Sequence, residues 1–412
     1  MTAQSKIFTP ILIASCLILM TGFAIRSTFG VFQIPIASEF GWLRSEFSLA
    51  IAIQNLAWGI GQPIFAAIAE KFGDRRAIFI GALTYAAGLV LSSAATTPGA
   101  HQAIEIIVGF GIAGTGFGVI LAIVGRAASD EIRSLVLGIA TASGSLGQVI
   151  GPPIAAALLT QMNWSSVFLI FAAAILCVIF LLPFLRSKPV ASKSEVEETM
   201  SQMLFKAAKD PTYSLIFLGF FSCGYQLGFI TAHFPAFITE ICGPIAAGGM
   251  LDSIGVSTTS ILGGVAIGVI GIANIIGTIG AGLLGKHFPK KYLLAMVYTG
   301  RTLIAAWFIM TPMTPTTVVI FSFLMGLLWL ATVPLTSGLI AHIYGLRYMG
   351  TLYGIVFFSH QLGGFLGVWL GGALYDIYGN YTIVWWVGIG VGALSAILHL
   401  PIREAPLKPL EA

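Results

Sequence analysis

The side chains best able to do chemistry in this chain are two arginines and a histidine inside long apolar segments. Arg26 lies in TGFAIRSTFGVF, Arg301 in AMVYTGRTLIAAW and His360 in FFSHQLGGFLG. A cation at the middle of a bilayer costs between about 3 and 17 kcal/mol, depending on how the cost is measured. All Asp and Glu residues fall in loops, tails or helix ends, so neither arginine has an evident carboxylate partner.

We interpret Arg26 as a binding group for an anionic substrate. A guanidinium that faces a water-filled cavity can hold a carboxylate through two parallel hydrogen bonds. Two structural interpretations compete with this one. The side chain of Arg26 can reach the outer lipid headgroups, or it can bond to carbonyls of a broken helix.

Composition places the chain in a membrane. Of its 412 residues, 57% are hydrophobic and 9% are charged, whereas soluble domains average about 25% charged residues. The first apolar run begins near Phe8 and is too long for a cleavable signal peptide. The four cysteines form no ligand-spaced pair, so we expect neither a metal site nor a disulfide framework.

Motifs for catalysis or nucleotide binding are missing from the sequence. GAGLLGKH (residues 280–287) nearly spells a phosphate loop, but it lacks the Ser or Thr and ends an apolar segment. No nucleophile and base are suitably spaced. We therefore predict a protein that is not an enzyme, needs no cofactor and draws its energy from an ion or solute gradient.

The apolar runs predict an all-α membrane protein. A bilayer core of about 30 Å needs about 20 helical residues, and charged or Pro/Gly-rich breaks divide the sequence into twelve such runs. The one long polar stretch, RSKPVASKSEVEETMSQMLFKAAKD, separates six runs from six. We predict helical bundles at 1–186 and 211–412, joined by a cytoplasmic linker at 187–210. The predicted spans begin near residues 8, 45, 77, 101, 133, 165, 211, 258, 292, 315, 348 and 380.

The two halves repeat each other. A shift of 216 residues places identical residues from two separate regions of the first half on the second half, which indicates two pseudo-symmetric six-helix bundles. The shift superimposes Gly61, Phe72, Gly138, Ile139, Ser143, Leu146, Gly147 and Gly151 on Gly277, Phe288, Gly354, Ile355, Ser359, Leu362, Gly363 and Gly367.

Basic residues predict the orientation. All Lys and Arg except Arg26, Arg44 and Arg301 fall at the amino terminus, in loops after even-numbered spans or in the carboxyl tail. Because cytoplasmic loops are enriched in Lys and Arg, we predict that both termini are cytoplasmic. We expect a monomer in the inner (plasma) membrane, surrounded by lipid and without a nucleic-acid partner.

Over nearly its whole length the chain resembles the major facilitator superfamily. That family carries G-x-x-x-D-R-x-G-R-R between spans 2 and 3, and the matching stretch here is AAIAEKFGDRR, with Ala66 for the first Gly and Glu70 for Asp. The resemblance implies a twelve-helix fold in which Glu70 and Arg75 stabilise a gate. A simple topology anchor would explain the cations but not Gly73. The second-half copy, GLLGKHFPKK, is degraded.

Two stretches resemble the monocarboxylate transporter-like and oxalate:formate antiporter-like branch of the family. They are EFGWLRSEFSLA (residues 39–50) and RSLVLGIATASGSLG (residues 133–147). Animal monocarboxylate transporters carry an Asp and an Arg in span 8, where this chain has only Asn274. Span 5 also matches the glycine spacing of exporters through Gly138, Gly147, Gly151 and Pro152, although small residues that let helices approach closely explain that spacing too.

The resemblance ranks the remaining candidates. Span 1 lines the central cavity in this fold, which supports Arg26, and span 9 is peripheral, where Arg301 can instead brace helices or face lipid. His360 and Gln361 lie in the middle of span 11, and imidazole titrates near neutral pH, although a packing histidine is the alternative. Glu105 is the second candidate for proton coupling. Further candidates for the cavity wall are Asn55, Tyr225, Asn274 and Trp329, with Gln54, Trp58, Gln226 and His233.

Together these features predict a secondary transporter of a small organic monoanion, such as a lactate- or pyruvate-like acid. It would work by alternating access, with a proton or a counter-anion as the coupled partner. Three alternatives stand beside this prediction. They are an exporter of apolar compounds, a carrier of larger anions such as aromatic acids or siderophores, and a membrane receptor that transports nothing.

Thiol labelling tests the predicted topology. In a chain without native cysteines, an impermeant reagent added outside should label a cysteine introduced beside Asp252 but not one at position 194. The reason is that the first position follows an odd-numbered span and the second lies in the predicted cytoplasmic linker. Labelling in the reverse pattern would invert the orientation.

Overall fold

The computed structural model describes residues 7–42, 44–185 and 199–407. Within these ranges the chain forms helices and no strands, and twelve segments are long and apolar enough to cross a membrane. The predicted fold class is confirmed. We number the spans in chain order as Pro10–Phe32, Leu49–Phe72, Asp74–Ser92, Pro98–Ala127, Arg133–Leu159, Trp164–Phe184, Pro211–Pro235, Ile261–His287, Lys290–Met310, Pro315–Tyr344, Met349–Tyr375 and Thr382–His399.

The helices themselves differ in places from the apolar spans, and some spans contain two helices. In the first half the helices are Pro10–Ser27, Phe29–Phe40, Arg44–Phe72, Asp74–Ser92, Pro98–Thr115, Phe117–Ala127, Arg133–Leu159 and Trp164–Leu176, which continues as the 3-10 helix Cys177–Phe184. In the second half they are Met200–Lys209, Pro211–Ile241, Met250–Ser253, Thr259–His287, Lys290–Met310, Pro315–Leu328, Thr332–Tyr344, Met349–Tyr378 and Thr382–His399.

Most helices begin at or close to the predicted residues, and the largest differences are at spans 3 and 4. Span 3 begins at Asp74 because Gly73 adopts a φ of 101°, which turns the chain directly after span 2. Span 4 begins at Pro98, where Thr97 caps the helix by accepting a hydrogen bond from the Ala100 amide. Local capping, rather than hydropathy, decides these two boundaries.

The predicted linker is described only in part. Residues 187–198 lie outside the described residues. The rest of the linker is mostly a short helix, Met200–Lys209, that begins with a capping box. The Thr199 hydroxyl accepts from the Gln202 amide at 3.3 Å, and the Gln202 side chain accepts from the Thr199 amide at 2.8 Å. The domain boundaries stay a prediction.

The repeated glycines allow helices to pack at backbone distance. A Cβ added to Gly147 or Gly151 of span 5 would lie 2.2 or 2.1 Å from a carbonyl oxygen of span 1. A Cβ added to their repeat partners in span 11, Gly363 and Gly367, would lie 2.1 and 2.2 Å from carbonyl oxygens of span 7. Because any larger side chain would separate these helices, the sequence repeat corresponds to a packing repeat.

Another repeated pair lies at the contact between the halves. Gly138 of span 5 packs against span 8, where a Cβ added to Gly138 would lie 2.8 Å from the Thr278 carbonyl oxygen. Gly354 of span 11 packs in the same way on Pro63 of span 2, 2.7 Å from its Cα. Spans 5 and 8 and spans 2 and 11 therefore form the contact between the two bundles.

Span 4 is broken near its middle, at Gly116. The neighbouring span 2 supplies hydrogen bonds at this break. The Gln62 amide donates to the Ala113 carbonyl at 3.2 Å, and the Trp58 indole donates to Gln62 at 2.8 Å. A broken membrane helix is tolerated where other groups satisfy its freed backbone atoms.

Span 10 is broken at the corresponding place, over residues 329–331. Asn274 of span 8 accepts a hydrogen bond from the Leu330 amide at 2.9 Å. The 216-residue shift superimposes Trp58, which orients Gln62, on Asn274, so the two halves brace the break from positions one turn apart in the repeated helix. The backbone symmetry is thus maintained by different side chains.

The packing repeat predicts a position-specific effect of alanine. Gly151→Ala should lower the melting temperature of the purified protein, because overpacking costs about 1–3 kcal/mol. Gly264→Ala in span 8 is the matched control. Nothing lies within 4 Å of a Cβ added there, and alanine favours helix over glycine. Equal melting temperatures for the two variants would contradict the packing argument.

Candidate functional site

Arg26 lies in the last turn of the helix Pro10–Ser27, about 24 Å from its start at a rise of about 1.5 Å per residue. Its Nη2 donates to the Asn55 side-chain oxygen at 2.6 Å, and its guanidinium carbon lies 4.8 Å from the centre of the Trp58 ring. Among the described residues no carboxylate forms an ion pair with it, and its buried Nε has no hydrogen-bond partner. A neutral amide and an aromatic face therefore surround a charge that stays unpaired.

A row of rings leads from Arg26 to the second half of the molecule. The Trp58 ring lies 4.8 Å from Phe357 of span 11. Phe357 in turn stacks on His360 with centroids 5.2 Å apart and planes 8° from parallel. We call Trp58, Phe357 and His360 the central aromatic stack. It brings three predicted site residues, Arg26, Asn55 and His360, into one region between the bundles.

His360 and Gln361 have hydrogen-bonding capacity to spare. His360 is 7% exposed, and its Nδ1 lies 3.1 Å from the Gln361 side-chain oxygen. The His360 Nε2 and the Gln361 Nε2 have no hydrogen-bond partner. Gln361 also packs across the interface, where a Cβ on Gly59 of span 2 would lie 2.7 Å from it. These polar groups can therefore form hydrogen bonds with a ligand, and the His360 imidazole can bind a proton.

Glu105 belongs to a separate network inside the first half. It is 0% exposed, accepts from Gln54 at 2.6 Å and from Ser92 at 3.4 Å, and lies 3.7 Å from His101. Gln54 precedes Asn55 on span 2, so consecutive residues of one helix hold Glu105 and Arg26. The structure does not place Glu105 at the central aromatic stack, and its role in proton coupling stays a prediction.

Arg301 is fully enclosed in the second half. It is 0% exposed, and its Nη1 donates to the Cys223 sulfur at 3.3 Å. The expectation that Arg301 can face lipid is therefore wrong. Span 9 is peripheral, but this position on it is turned inward, and hydropathy does not report how a helix is rotated about its axis. Neither the sequence pattern nor the family resemblance indicated Cys223 as a functional residue.

Three other predicted residues lie away from the Arg26 region. Asn274 donates to Ser145 of span 5 at 2.7 Å and accepts from the break in span 10, so both ends of its amide are engaged. Trp329 lies at that break. Tyr225 packs against span 12 and its hydroxyl has no hydrogen-bond partner. Asn274 is thus a brace between helices, and contact of these three with substrate stays a prediction.

Glu70 joins the two halves at the side of the bundle on which span 1 begins, which we call the terminal side. Its carboxylate accepts from the Gly350 amide at 2.7 Å, from the Thr351 amide at 3.1 Å and from the Thr351 hydroxyl. These groups form the first turn of the helix Met349–Tyr378. A carboxylate at a helix N-terminus is stabilised by the free amides and by the helix dipole.

The rest of the loop between spans 2 and 3 holds the first half together. Arg75 donates to the Pro183 carbonyl at 3.0 Å, at the end of span 6. Arg126 of span 4 forms an ion pair with Asp74. Of the three predicted gating residues, Glu70 therefore contacts the opposite half, Gly73 makes the turn, and Arg75 braces its own half.

Comparison with known proteins fits this architecture. Residues 14–368 match the family model described as Major Facilitator Superfamily. The chain belongs to this superfamily. It is therefore an integral membrane protein that transports small molecules and is not an enzyme, as the sequence predicted.

Relatives of known sequence cover most of the chain. An uncharacterized MFS-type transporter of Bacillus subtilis (strain 168), YcxA, is 25% identical over 390 residues, which is 91% of this chain and 90% of that protein. Monocarboxylate transporter 13 of Bos taurus is 26% identical over 400 residues, 93% of this chain and 88% of that protein.

Solved structures share the fold. FucP, described as a Major Facilitator Superfamily transporter in the outward conformation, matches with a TM-score of 0.70 and 15% identity over 94% of this chain and 97% of that one. The proton:xylose symporter XylE matches with a TM-score of 0.69 and 15% identity, over 97% and 96% of the two chains. At this identity the likeness concerns the fold alone.

The contact of Glu70 with span 11 predicts an effect on opening of the terminal side. A thiol introduced by Ser134→Cys, next to Gly285 between spans 5 and 8, should react faster with a permeant maleimide when Glu70→Gln is added. Loss of about 1 kcal/mol of charge–helix interaction corresponds to an increase of about fivefold. The exposed Cys177 is replaced by Ser beforehand.

Glu131→Gln is the matched control, because Glu131 is exposed near the start of span 5. It should leave the labelling rate unchanged. If Glu70→Gln and Glu131→Gln label at the same rate, the contact between Glu70 and span 11 does not hold the halves together.

Proposed function

We propose that this member of the superfamily transports a small organic anion, and that Arg26 binds the anion's carboxylate. The observation that carries the proposal is the unpaired charge of Arg26. Its polar partner is the neutral Asn55, and its Nε is buried without a hydrogen-bond partner. A substrate carboxylate would supply both the missing charge and the missing acceptor.

The chemistry of the guanidinium favours a carboxylate over a neutral substrate. Its Nε and one terminal nitrogen form a planar fork that matches the two oxygens of a carboxylate. Asn55 engages Nη2, so it orients the side chain without neutralising it. The Trp58 face beneath the guanidinium adds cation–π attraction, which does not require that the charge be cancelled.

The coupled partner in this proposal is a proton or a counter-anion. His360 lies at the end of the central aromatic stack opposite Arg26, and its Nε2 is unpartnered. Protonation of His360 would add a second positive charge near the same region and so favour the anion. Glu105 is the alternative proton acceptor, connected to Arg26 through Gln54 and Asn55 of span 2.

Alternating access follows from the contacts between the halves. Close packing of spans 2 and 11 extends from Glu70 to the central aromatic stack, which closes the terminal side in this conformation. With the terminal side taken as cytoplasmic from its basic residues, Arg26 lies beyond the closed part, toward the outside. Release of the contact between Glu70 and span 11 would then open the cytoplasmic route.

The named relatives are consistent with an anionic substrate. Monocarboxylate transporter 13 of Bos taurus aligns over 93% of this chain. The proposed substrate class is a monocarboxylate. An acid that carries an aromatic ring is the second candidate, because Trp58 lies beside Arg26 and contacts Phe23, which in turn contacts Phe117.

Variants of Arg26 test the proposal through ligand-induced thermal stabilisation of the purified protein. Arg26→Lys and Arg26→Gln should each bind lactate-, pyruvate- or benzoate-like acids about tenfold more weakly or worse. The reason is that a hydrogen bond to a charged group contributes about 1.5–3 kcal/mol and an ammonium cannot form the two-point fork. The amide of the best acid should stabilise wild type and Arg26→Gln equally.

Asn55→Asp is the sharper companion variant. It places a carboxylate where the structure shows an amide oxygen 2.6 Å from Arg26, so an internal anion should compete with the substrate while the fold is retained. Asn55→Leu removes the same hydrogen bond without adding charge, and should weaken binding less. Normal acid binding by Arg26→Gln or Asn55→Asp would refute the anion site.

A further inference from the structure

Arg301 has an unusual environment for a buried cation. Its side chain is 0% exposed, and two of its nitrogens, Nε and Nη2, have no hydrogen-bond partner. Its third nitrogen donates to the Cys223 sulfur at 3.3 Å. Among the described residues no carboxylate forms an ion pair with it. The polar atom that faces this charge is therefore a sulfur.

A neutral thiol is a poor partner for such a charge. Thiols are weak acceptors, and a buried cation without a counter-charge is strongly destabilising. A thiolate, in contrast, forms an ion pair with a guanidinium, and thiolates occur where arginine or a helix N-terminus stabilises them.

We propose that Cys223 is a proton-binding site, and that its thiolate is the counter-ion of Arg301. The site is separate from Arg26 and Glu105 and adjoins His360, one of the two proton-coupling candidates that the sequence indicated.

The break in span 10 supports a negative charge on this sulfur. The Thr332 hydroxyl lies 3.3 Å from the Cys223 sulfur and can donate to it. Thr332 is also the first residue of the helix Thr332–Tyr344, whose N-terminal end attracts anions. The guanidinium, the hydroxyl and the helix end thus approach the sulfur from two different spans.

The other ionisable groups around the thiol come from three helices. Span 9 contributes Tyr298 beside Arg301, and span 11 contributes His360 and Tyr353. On span 12, His399 stacks on Tyr298 at 4.9 Å and packs against span 7 one turn before Cys223. None of these side chains is a carboxylic acid. The hydroxyls of Tyr298 and Tyr353 are buried within electrostatic range of the Cys223 sulfur.

His360 provides a route for the proton. Its imidazole lies within electrostatic range of the Cys223 sulfur and forms the far end of the central aromatic stack. In the proposed step the His360 imidazolium gives a proton to the Cys223 sulfur. The N–H bond breaks, an S–H bond forms, and the products are a neutral imidazole and a thiol.

This step couples the proton to the anion, and in that respect it rests on the proposed function. While Cys223 is a thiolate, it cancels the charge of Arg301. Once His360 has taken up a proton from outside and passed it to Cys223, the region carries one more positive charge than before the uptake, because the charge of Arg301 is no longer cancelled. Substrate anion then enters more readily, so the proton binds first and one proton accompanies one monoanion.

Ultraviolet absorption of the thiolate tests the site without any transport assay. The experiment compares a single-cysteine variant that retains Cys223 with one that retains the exposed Cys177, every other cysteine being serine. The Cys223 variant should show thiolate absorption at neutral pH, and the Cys177 variant should not. Adding Arg301→Gln to the Cys223 variant should abolish the absorption at neutral pH.

A stability measurement covers the case in which Arg301→Gln does not fold. Cys223→Ala should lower the melting temperature, and Cys223→Asp should restore it, because the carboxylate replaces the anionic partner. Cys242→Ala, at the end of span 7, is the matched control and should have little effect. Proton-dependent uptake should be lost in Cys223→Ala and retained in Cys223→Asp.

Two results would overturn the ion pair. One is absence of thiolate absorption from the Cys223 variant at neutral pH, and the other is a Cys223→Asp protein less stable than Cys223→Ala. Because neither readout uses the substrate, the ion pair can fail while Arg26 still binds an anion. Equally, the ion pair can be confirmed if the anion proposal fails.

Discussion

The structure depends on one constraint, which is that polar groups inside a bilayer have no water to bond with. Regular helices satisfy most backbone groups internally. Where a helix breaks or begins, individual side chains bond to the backbone groups that are left. Gln62 bonds to the break in span 4, Asn274 bonds to the break in span 10, and Glu70 accepts from the amides at the start of span 11 that have no partner within the helix. Among the buried side-chain atoms without a hydrogen-bond partner in the described residues, the nitrogens of Arg26 and Arg301 belong to permanent cations, and these two residues are therefore the strongest indications of function.

In the proposed alternating access, the same constraint lets the two bundles separate. Between helices in lipid, packing of small residues replaces the hydrophobic effect as the main attraction. The glycine contacts of spans 2, 5, 8 and 11 are numerous but individually weak. Their separation exposes no polar group that would need a hydrogen bond from water. A charged contact such as that of Glu70 with the first turn of span 11 depends on exact geometry, so it gives the contact two distinct states, formed and broken.

Hydropathy and repetition were sufficient to predict the twelve helices and the internal duplication, because burial in lipid leaves a strong and simple pattern. They could predict that Arg26 lacks a carboxylate partner, since that depends only on where the Asp and Glu residues fall. They could not pair Arg26 with Asn55, or Trp58 with Phe357, because such contacts depend on helix rotation and on how two distant halves meet. For the same reason Cys223 gave no signal, and the sequence could not decide whether Arg301 braces helices or faces lipid.

The two arginines also show how the two repeated halves of the fold came to differ from each other. The 216-residue shift superimposes Arg26 on Cys242 and Arg301 on Tyr85, so each half carries one cation at a position where the other half has none. Tyr85 is fully buried and donates to a span 1 carbonyl at 3.2 Å. Arg26 keeps part of its surface exposed, whereas Arg301 is sealed beside a thiol. Duplication therefore supplied the two bundles, and divergence at these positions placed a partly exposed cation in one half and an enclosed one in the other. The central aromatic stack lies between the two arginines, so a change of charge in one half can alter the electrostatic potential in the other half.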